Sequence, residues 1–145
     1  MAITKKRLIA AKRSKVWAVL ADFPAIVTWA PNVDHSTATT TAHGGIGAVR
    51  RVQSGRITLL ETIVGWQPDE LLAYTLHGLP PIAGSIVTTW RLEELGDGTR
   101  VSLTTEIHPR PNPLGRIVAR ALGRQLQKAA KQMLTGLAEQ VEEKK

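Results

Sequence analysis

The stretch PNPLGRIVARALGRQLQKAAKQMLTGLAEQV, Pro111 to Val141, decides the architecture of the rest of the chain. Asn112 is a good helix cap and Pro113 suits a first helical position, so a long helix is expected to begin here. Leu114, Val118, Ala121, Leu122, Leu126, Ala129, Met133 and Leu137 recur at helical spacing, which predicts an amphipathic rod to about Val141, roughly 40 Å long. Such a rod must bury its apolar face. In a single domain of 145 residues the partner large enough to cover it is a β-sheet.

Upstream of the helix the chain reads as strands divided by turn residues. A first strand, Ile3 to Ala10, is followed by two short helices, one capped by Ser14 and carrying Val16, Trp17, Val19, Leu20 and Phe23, the next running from Pro24 to about Trp29. Six strands follow: Val33 to Ala42, Ile46 to Val52, Ile57 to Trp66, Leu71 to His77, Ser85 to Glu94 and Thr99 to Ile107. Gly96-Asp97-Gly98 is the clearest hairpin turn among their connections. The reading is an α+β domain spanning residues 1–145, with a seven-stranded antiparallel sheet, two short helices after the first strand and a long C-terminal helix. Successive antiparallel connections alternate between sheet ends. Gln53 to Arg56, Gly78 to Gly84 and Pro109 to Pro113 therefore gather at one end, and His43 to Gly45, Gln67 to Glu70 and Gly96 to Gly98 at the other. The first end has the longer, proline-rich loops and is expected to hold the entrance to any site.

Composition narrows the function classes. The longest apolar candidate, Val16 to Ala21, falls far short of a membrane span, and the residues after Lys5-Lys6-Arg7 are too few for a secretory apolar region, so a cytoplasmic address is expected. Without cysteine there is no disulfide, thiolate nucleophile or sulfur-built zinc site. His35, His43, His77 and His108 show no ligand spacing, so no metal is expected, and no cofactor either. Gly44-Gly45-Ile46-Gly47 lacks the lysine of a phosphate loop. Glu93 and Glu94 are adjacent on a strand and point to opposite faces, which excludes them as a catalytic pair.

Several local patterns support a family assignment: Ser14-Lys15-Val16-Trp17-Ala18-Val19-Leu20-Ala21-Asp22-Phe23 after the first strand, then Trp29-Ala30-Pro31, Glu61-Thr62-Ile63-Val64-Gly65-Trp66-Gln67-Pro68, Leu72-Ala73-Tyr74, Thr89-Trp90-Arg91-Leu92 and Asp97-Gly98-Thr99-Arg100-Val101. In this order and spacing the chain resembles the helix-grip fold of the START-related, polyketide cyclase/dehydrase-like superfamily (SRPBCC). That resemblance covers nearly the whole chain. It implies a curved sheet gripping the C-terminal helix, with a cavity between them for an apolar or amphipathic small molecule such as a lipid, isoprenoid or polyketide-like compound.

The residues expected to line that cavity are Trp29, Glu61, Ile63, Tyr74, Trp90, Leu103, Val118, Leu122 and Leu126. Glu61 has two readings: facing the cavity, where desolvation would suit it to proton transfer, or on the outer face beside an arginine. Tyr74 and His77 are the other candidate proton carriers, and His108 a further hydrogen-bonder; each could equally be packed or exposed. Trp66 and Trp90 could stack on a ligand ring or fill the core. Gly115 and Gly136 leave room on the helix for a ligand or for a closely approaching strand.

Nineteen basic residues against 12 acidic give a formal charge of +7, which favours polyanionic partners. Arg116, Arg120, Arg124, Lys128 and Lys131 concentrate it in a stripe within about 120° of the helix, opposite the predicted apolar face. This is either a solvated surface or a docking face for anionic membrane or RNA. Three functions follow: binding of a hydrophobic small molecule, cyclisation or dehydration by acid-base catalysis in the same cavity, or docking to RNA, ribosome or anionic membrane through the basic helix.

Overall fold

Antiparallel pairing runs unbroken from one sheet edge to the other in the computed structural model, which describes residues 1–142. The strands are β1 (Ala2–Ile9), β2 (His35–Ala38), β3 (Val49–Ser54), β4 (Ile57–Gln67), β5 (Leu71–His77), β6 (Ser85–Leu95) and β7 (Gly98–His108), in the spatial order β1-β7-β6-β5-β4-β3-β2. Between β1 and β2 lie helix α1 (Arg13–Ala21) and a 3-10 segment, Phe23–Thr28. A second 3-10 turn, Pro81–Ala83, precedes β6, and α2 (Pro113–Val141) closes the chain. The seven-stranded helix-grip architecture is thus as expected.

Period-two burial shows which side of the sheet carries the core. On β6 the residues Ile86, Thr88, Trp90 and Leu92 are buried, and on β7 Val101, Leu103, Thr105 and Ile107. Their neighbours face the other side, which is the consequence of strand pleating. The register of β4 on β5 shifts between Ile63 and Gly65, a bulge that bends the sheet toward the helices. Gly65 lies close to β5 there: a β-carbon would stand 2.9 Å from Leu71 Cδ2 and 3.0 Å from Ala73 Cβ, so those side chains would have to shift.

The start of α2 follows the sequence reading: Asn112 Oδ1 accepts from the Gly115 amide at 2.6 Å and Pro113 occupies the first turn. Three details differ. The cap position of α1 is Lys12, with no side-chain cap bond, and Ser14 lies inside the first turn. The strand expected from Val33 to Ala42 keeps only His35–Ala38, and the next begins at Val49 instead of Ile46. In between, the Thr40 hydroxyl donates to Ala42 O and accepts from the Val49 amide, replacing ladder bonds with a local side-chain turn.

The third difference concerns the face of α2. The buried residues are Gly115, Ala119, Leu122, Gly123, Ala130, Leu134, Gly136, Leu137, Ala138 and Val141. This face is rotated by roughly 80° from the one the large apolar residues define. Small residues win because they allow close approach. A β-carbon at Gly136 would stand 2.7 Å from Pro31 Cδ and collide with the Trp29 carbonyl oxygen, and one at Gly115 would stand 2.9 Å from the carbonyl oxygens of Arg110 and Ile82. The room at both glycines therefore belongs to the backbone of neighbouring segments.

The larger core cluster joins α1, the 3-10 segment, the sheet and the C-terminal half of α2. Its tryptophans meet edge to face, Trp17 on Trp66 at 5.0 Å and Trp29 on Trp90 at 5.8 Å between centroids. A smaller cluster of Ala83, Ile86, Ile107, Ala119 and Leu122 supports the N-terminal half of α2. No helix among the described residues is long and apolar enough to cross a membrane.

Candidate functional site

Between the two core clusters the concave side of the sheet carries a buried charged network. On β3 the side chains of Arg50 and Val52 point inward in phase with Ala48, and Arg50 pairs in register with Glu61 on β4. Arg50 is only 2% exposed. Its Nε donates to Glu61 Oε1 at 2.7 Å and its Nη1 to the Phe23 carbonyl at 2.8 Å. The guanidinium carbon also stands 3.7 Å from the centroid of the Phe23 ring and 4.7 Å from that of Tyr74. A desolvated charge is tolerated only with such partners. Glu61 thus faces inward, and an arginine holds it there.

Tyr74 completes the network, its hydroxyl accepting from Trp90 Nε1 at 3.1 Å. Burial pushes the Tyr74 phenol up to about 12, and the nearby Glu61 charge adds to the rise. It therefore stays protonated at neutral pH. Glu61 Oε1 is held by the Arg50 guanidinium, and Tyr74 is far from its ionisation range.

Beside this network a narrow cavity of about 70 Å³ separates sheet from helix. Ile26, Val33, Val52, Leu59 and Leu76 supply apolar wall, Leu126 and Met133 close it from α2, and Asn32, Ser54, Glu61, Tyr74, Thr88 and Thr105 give it polar points. Asn32 Oδ1 is the buried side-chain polar atom left without a hydrogen-bond partner among the described residues. A spacious hollow was expected here, and the structure shows room for a few waters. The larger space lies one helical turn outward: a groove of about 640 Å³ between Arg56–Thr58, Gly78–Pro80 and Val118, Ala121 and Leu122 of α2. A second concavity of about 600 Å³ opens where β5 and β6 part beyond the Thr75/Val87 pair. Both grooves are at the sheet end carrying the longer loops.

Of the nine residues expected to line the cavity, Glu61, Tyr74 and Leu126 do so, and Val118 and Leu122 line the outer groove. Trp29, Ile63, Trp90 and Leu103 are packed into the larger core, because the sheet and α1 close over them. His77 is excluded from the cavity: it ends β5 in the second concavity, exposed, with Nε2 3.1 Å from the Thr75 hydroxyl. His108 lines the same concavity, its Nε2 3.5 Å from Glu106. Arg50, Asn32 and Met133 were not among the expected site residues. Arg50 had a signal, since it falls in phase with Ala48 and Val52. Arg116, Arg120, Arg124, Lys128 and Lys131 are all exposed, as expected for the stripe. No cluster of three or more histidine or carboxylate groups that could hold a metal occurs among the described residues.

Over residues 1–142 the chain matches the family described as polyketide cyclase / dehydrase and lipid transport. No curated protein matches it in sequence. Among solved structures, an aromatase/cyclase from Streptomyces sp. R1128 is similar with a TM-score of 0.81 and 19% identity, covering 97% of this chain and 93% of that one. A Thermobifida fusca protein gives a TM-score of 0.80 and 24% identity, with 97% and 92% covered. A Thermus thermophilus protein gives 0.78 and 20%, with 97% of each chain covered.

Proposed function

The chain belongs to the polyketide cyclase/dehydrase and lipid transport family, and from that premise we propose that it binds a small, mostly apolar molecule between sheet and α2 without transforming it. The supporting observation is the unpartnered Asn32 Oδ1 in a cavity with otherwise largely apolar walls. A buried acceptor without a donor is costly, and a guest bearing a hydroxyl or N–H group relieves it. Apolar burial supplies affinity at about 25 cal/mol per Å² and the polar points supply orientation. The cavity enlarges when the guest displaces Met133, whose flexible thioether adapts at little cost. Binding is favoured over acid-base catalysis because Glu61 Oε1 accepts from Arg50 and burial pushes the Tyr74 phenol far above neutral.

Titration with 1-aminoanthracene, followed by its fluorescence, tests this reading, with long-chain alcohols as competitors. Leu126→Trp fills the cavity and is expected to weaken probe binding at least tenfold. Saturable binding that Leu126→Trp leaves unaltered would place the probe outside this cavity and refute the proposal.

A further inference from the structure

The end of the molecule that carries the grooves also carries exposed apolar side chains. On α2 Leu114 is 58% and Ile117 63% exposed, and across the groove Ile57 of β4 is 36% exposed. Leu114, Ile117 and Ala121 lie within about 60° of one another around the helix. A single exposed leucine is ordinary, but a row of apolar residues along the lip of a groove is not.

The rim of this patch carries five arginines. Arg116, Arg120 and Arg124 are exposed on the flank of α2, Arg56 is exposed on the β3–β4 turn, and Arg110 donates from Nε to the Pro81 carbonyl at 3.0 Å. Residues 53–59, 71–92 and 107–138 contain no aspartate or glutamate. Two acidic groups border this end: Asp34, whose Oδ2 accepts from the Gly55 amide at 2.7 Å, and Glu106, which lies 3.5 Å from His108. Asp69, Glu70, Glu93, Glu94 and Asp97 belong instead to the opposite, hairpin end.

We infer that the groove end docks on the surface of an anionic phospholipid bilayer, with Leu114, Ile117 and Ile57 in the headgroup–acyl boundary and the arginines on lipid phosphates. An apolar row with arginines beside it matches both layers of that surface at once. RNA would satisfy the arginines and leave Leu114 and Ile117 in water, and among the described residues this face presents no Phe, Tyr or Trp side chain for base stacking. Docking goes beyond the binding reading. It requires these surface residues and not the inner cavity, while placing the groove where an apolar guest dissolves.

Flotation of the full chain with phosphatidylcholine vesicles, with and without phosphatidylglycerol, tests the inference. The protein is expected to float with the anionic vesicles only, and to be released as salt rises. Ile117→Asp is expected to reduce partitioning at least tenfold. The pair Arg116→Gln and Arg120→Gln should reduce it roughly 25-fold, at about fivefold per cation removed. All three positions are exposed, and thermal melts verify that the variants fold. Binding of 1-aminoanthracene by the same variants should be unchanged, so failure of docking and failure of cavity binding are told apart. Three outcomes overturn the inference: no flotation with anionic vesicles, flotation that Ile117→Asp leaves intact, or tighter binding to poly(U) than to the vesicles. Concentration-dependent dimerisation abolished by Ile117→Asp would do so as well, assigning the patch to a second copy of the chain.

Discussion

The two halves of α2 are built from similar residues and do different things. In the C-terminal half Ala130, Leu134, Leu137, Ala138 and Val141 are all at most 3% exposed, Gly136 lies against the Trp29 backbone, and the Ala10 amide donates to Glu142 Oε2 at 2.9 Å. In the N-terminal half Leu122 and the small residues Gly115, Ala119 and Gly123 make the buried contact, while Leu114 and Ile117 stand in solvent. One half is an anchor and the other a wall over open grooves. A helix can thus hold a sheet firmly at one end and leave binding surface at the other, because anchoring needs dense packing over only part of its length.

The sharpest test of the boundary between the halves is the buried pair at its floor. Glu61→Ala leaves the Arg50 guanidinium desolvated with the Phe23 carbonyl as its remaining hydrogen-bond partner, and is expected to cost about 3–5 kcal/mol. Replacing both partners, Arg50→Met with Glu61→Leu, should recover most of that loss. Urea unfolding curves measure both. A single-variant loss below about 1 kcal/mol would mean that water already reaches the pair.

Next in size is the contrast along the helix itself. Leu137→Ala removes a side chain that is 0% exposed and should cost about 2–5 kcal/mol. Ile117→Ala, at 63% exposure, should stay within about 0.5 kcal/mol of the parent. Equal losses in thermal denaturation would erase the distinction between anchor and wall.

Most of the architecture was legible because it rests on local signals. Asn112-Pro113 marks the start of α2, Gly96-Asp97-Gly98 the last hairpin, and period-two alternation the strands. What escaped depends on tertiary contact. The leucines dominate the helical pattern of α2, yet Gly115 and Gly136 set the contact face, since only glycine admits a neighbouring backbone so closely. Ile63, Trp90 and Leu103 face the concave side as expected, but whether a concave residue lines a cavity or a core depends on what α1 and the 3-10 segment cover, and no local pattern encodes that. Arg50 was not among the expected site residues, although Ala48 and Val52 place it inward; its partner Glu61 becomes apparent only through the β3–β4 register.

Protonation offers a smaller test of the same floor. The Tyr74 phenol ordinarily ionises near 10.0 and is pushed up to about 12 by burial, with Glu61 adding to the rise. The raised value means that the unfolded chain loses this proton first. Stability fully present below pH 10 therefore declines between pH 10 and about 12, by at most about 3 kcal/mol. Tyr74→Phe should flatten that part of the stability profile, at a neutral-pH cost of about 1–3 kcal/mol for leaving Trp90 Nε1 without its acceptor. A decline unchanged in the variant would assign it to other groups.

The smallest effect belongs to the open half. Asn112 Oδ1 caps the first turn of α2, so Asn112→Ala should cost about 1 kcal/mol. Where that loss appears matters more than its size. The first turns rest on the small cluster with Ala83, Ile86 and Ile107, so amide exchange should quicken from Gly115 to about Ala121 and stay slow from Ala130 to Val141. Uniform acceleration along the whole helix would show that the anchor and the wall open as one unit, and that the grooves cannot widen without loosening the core.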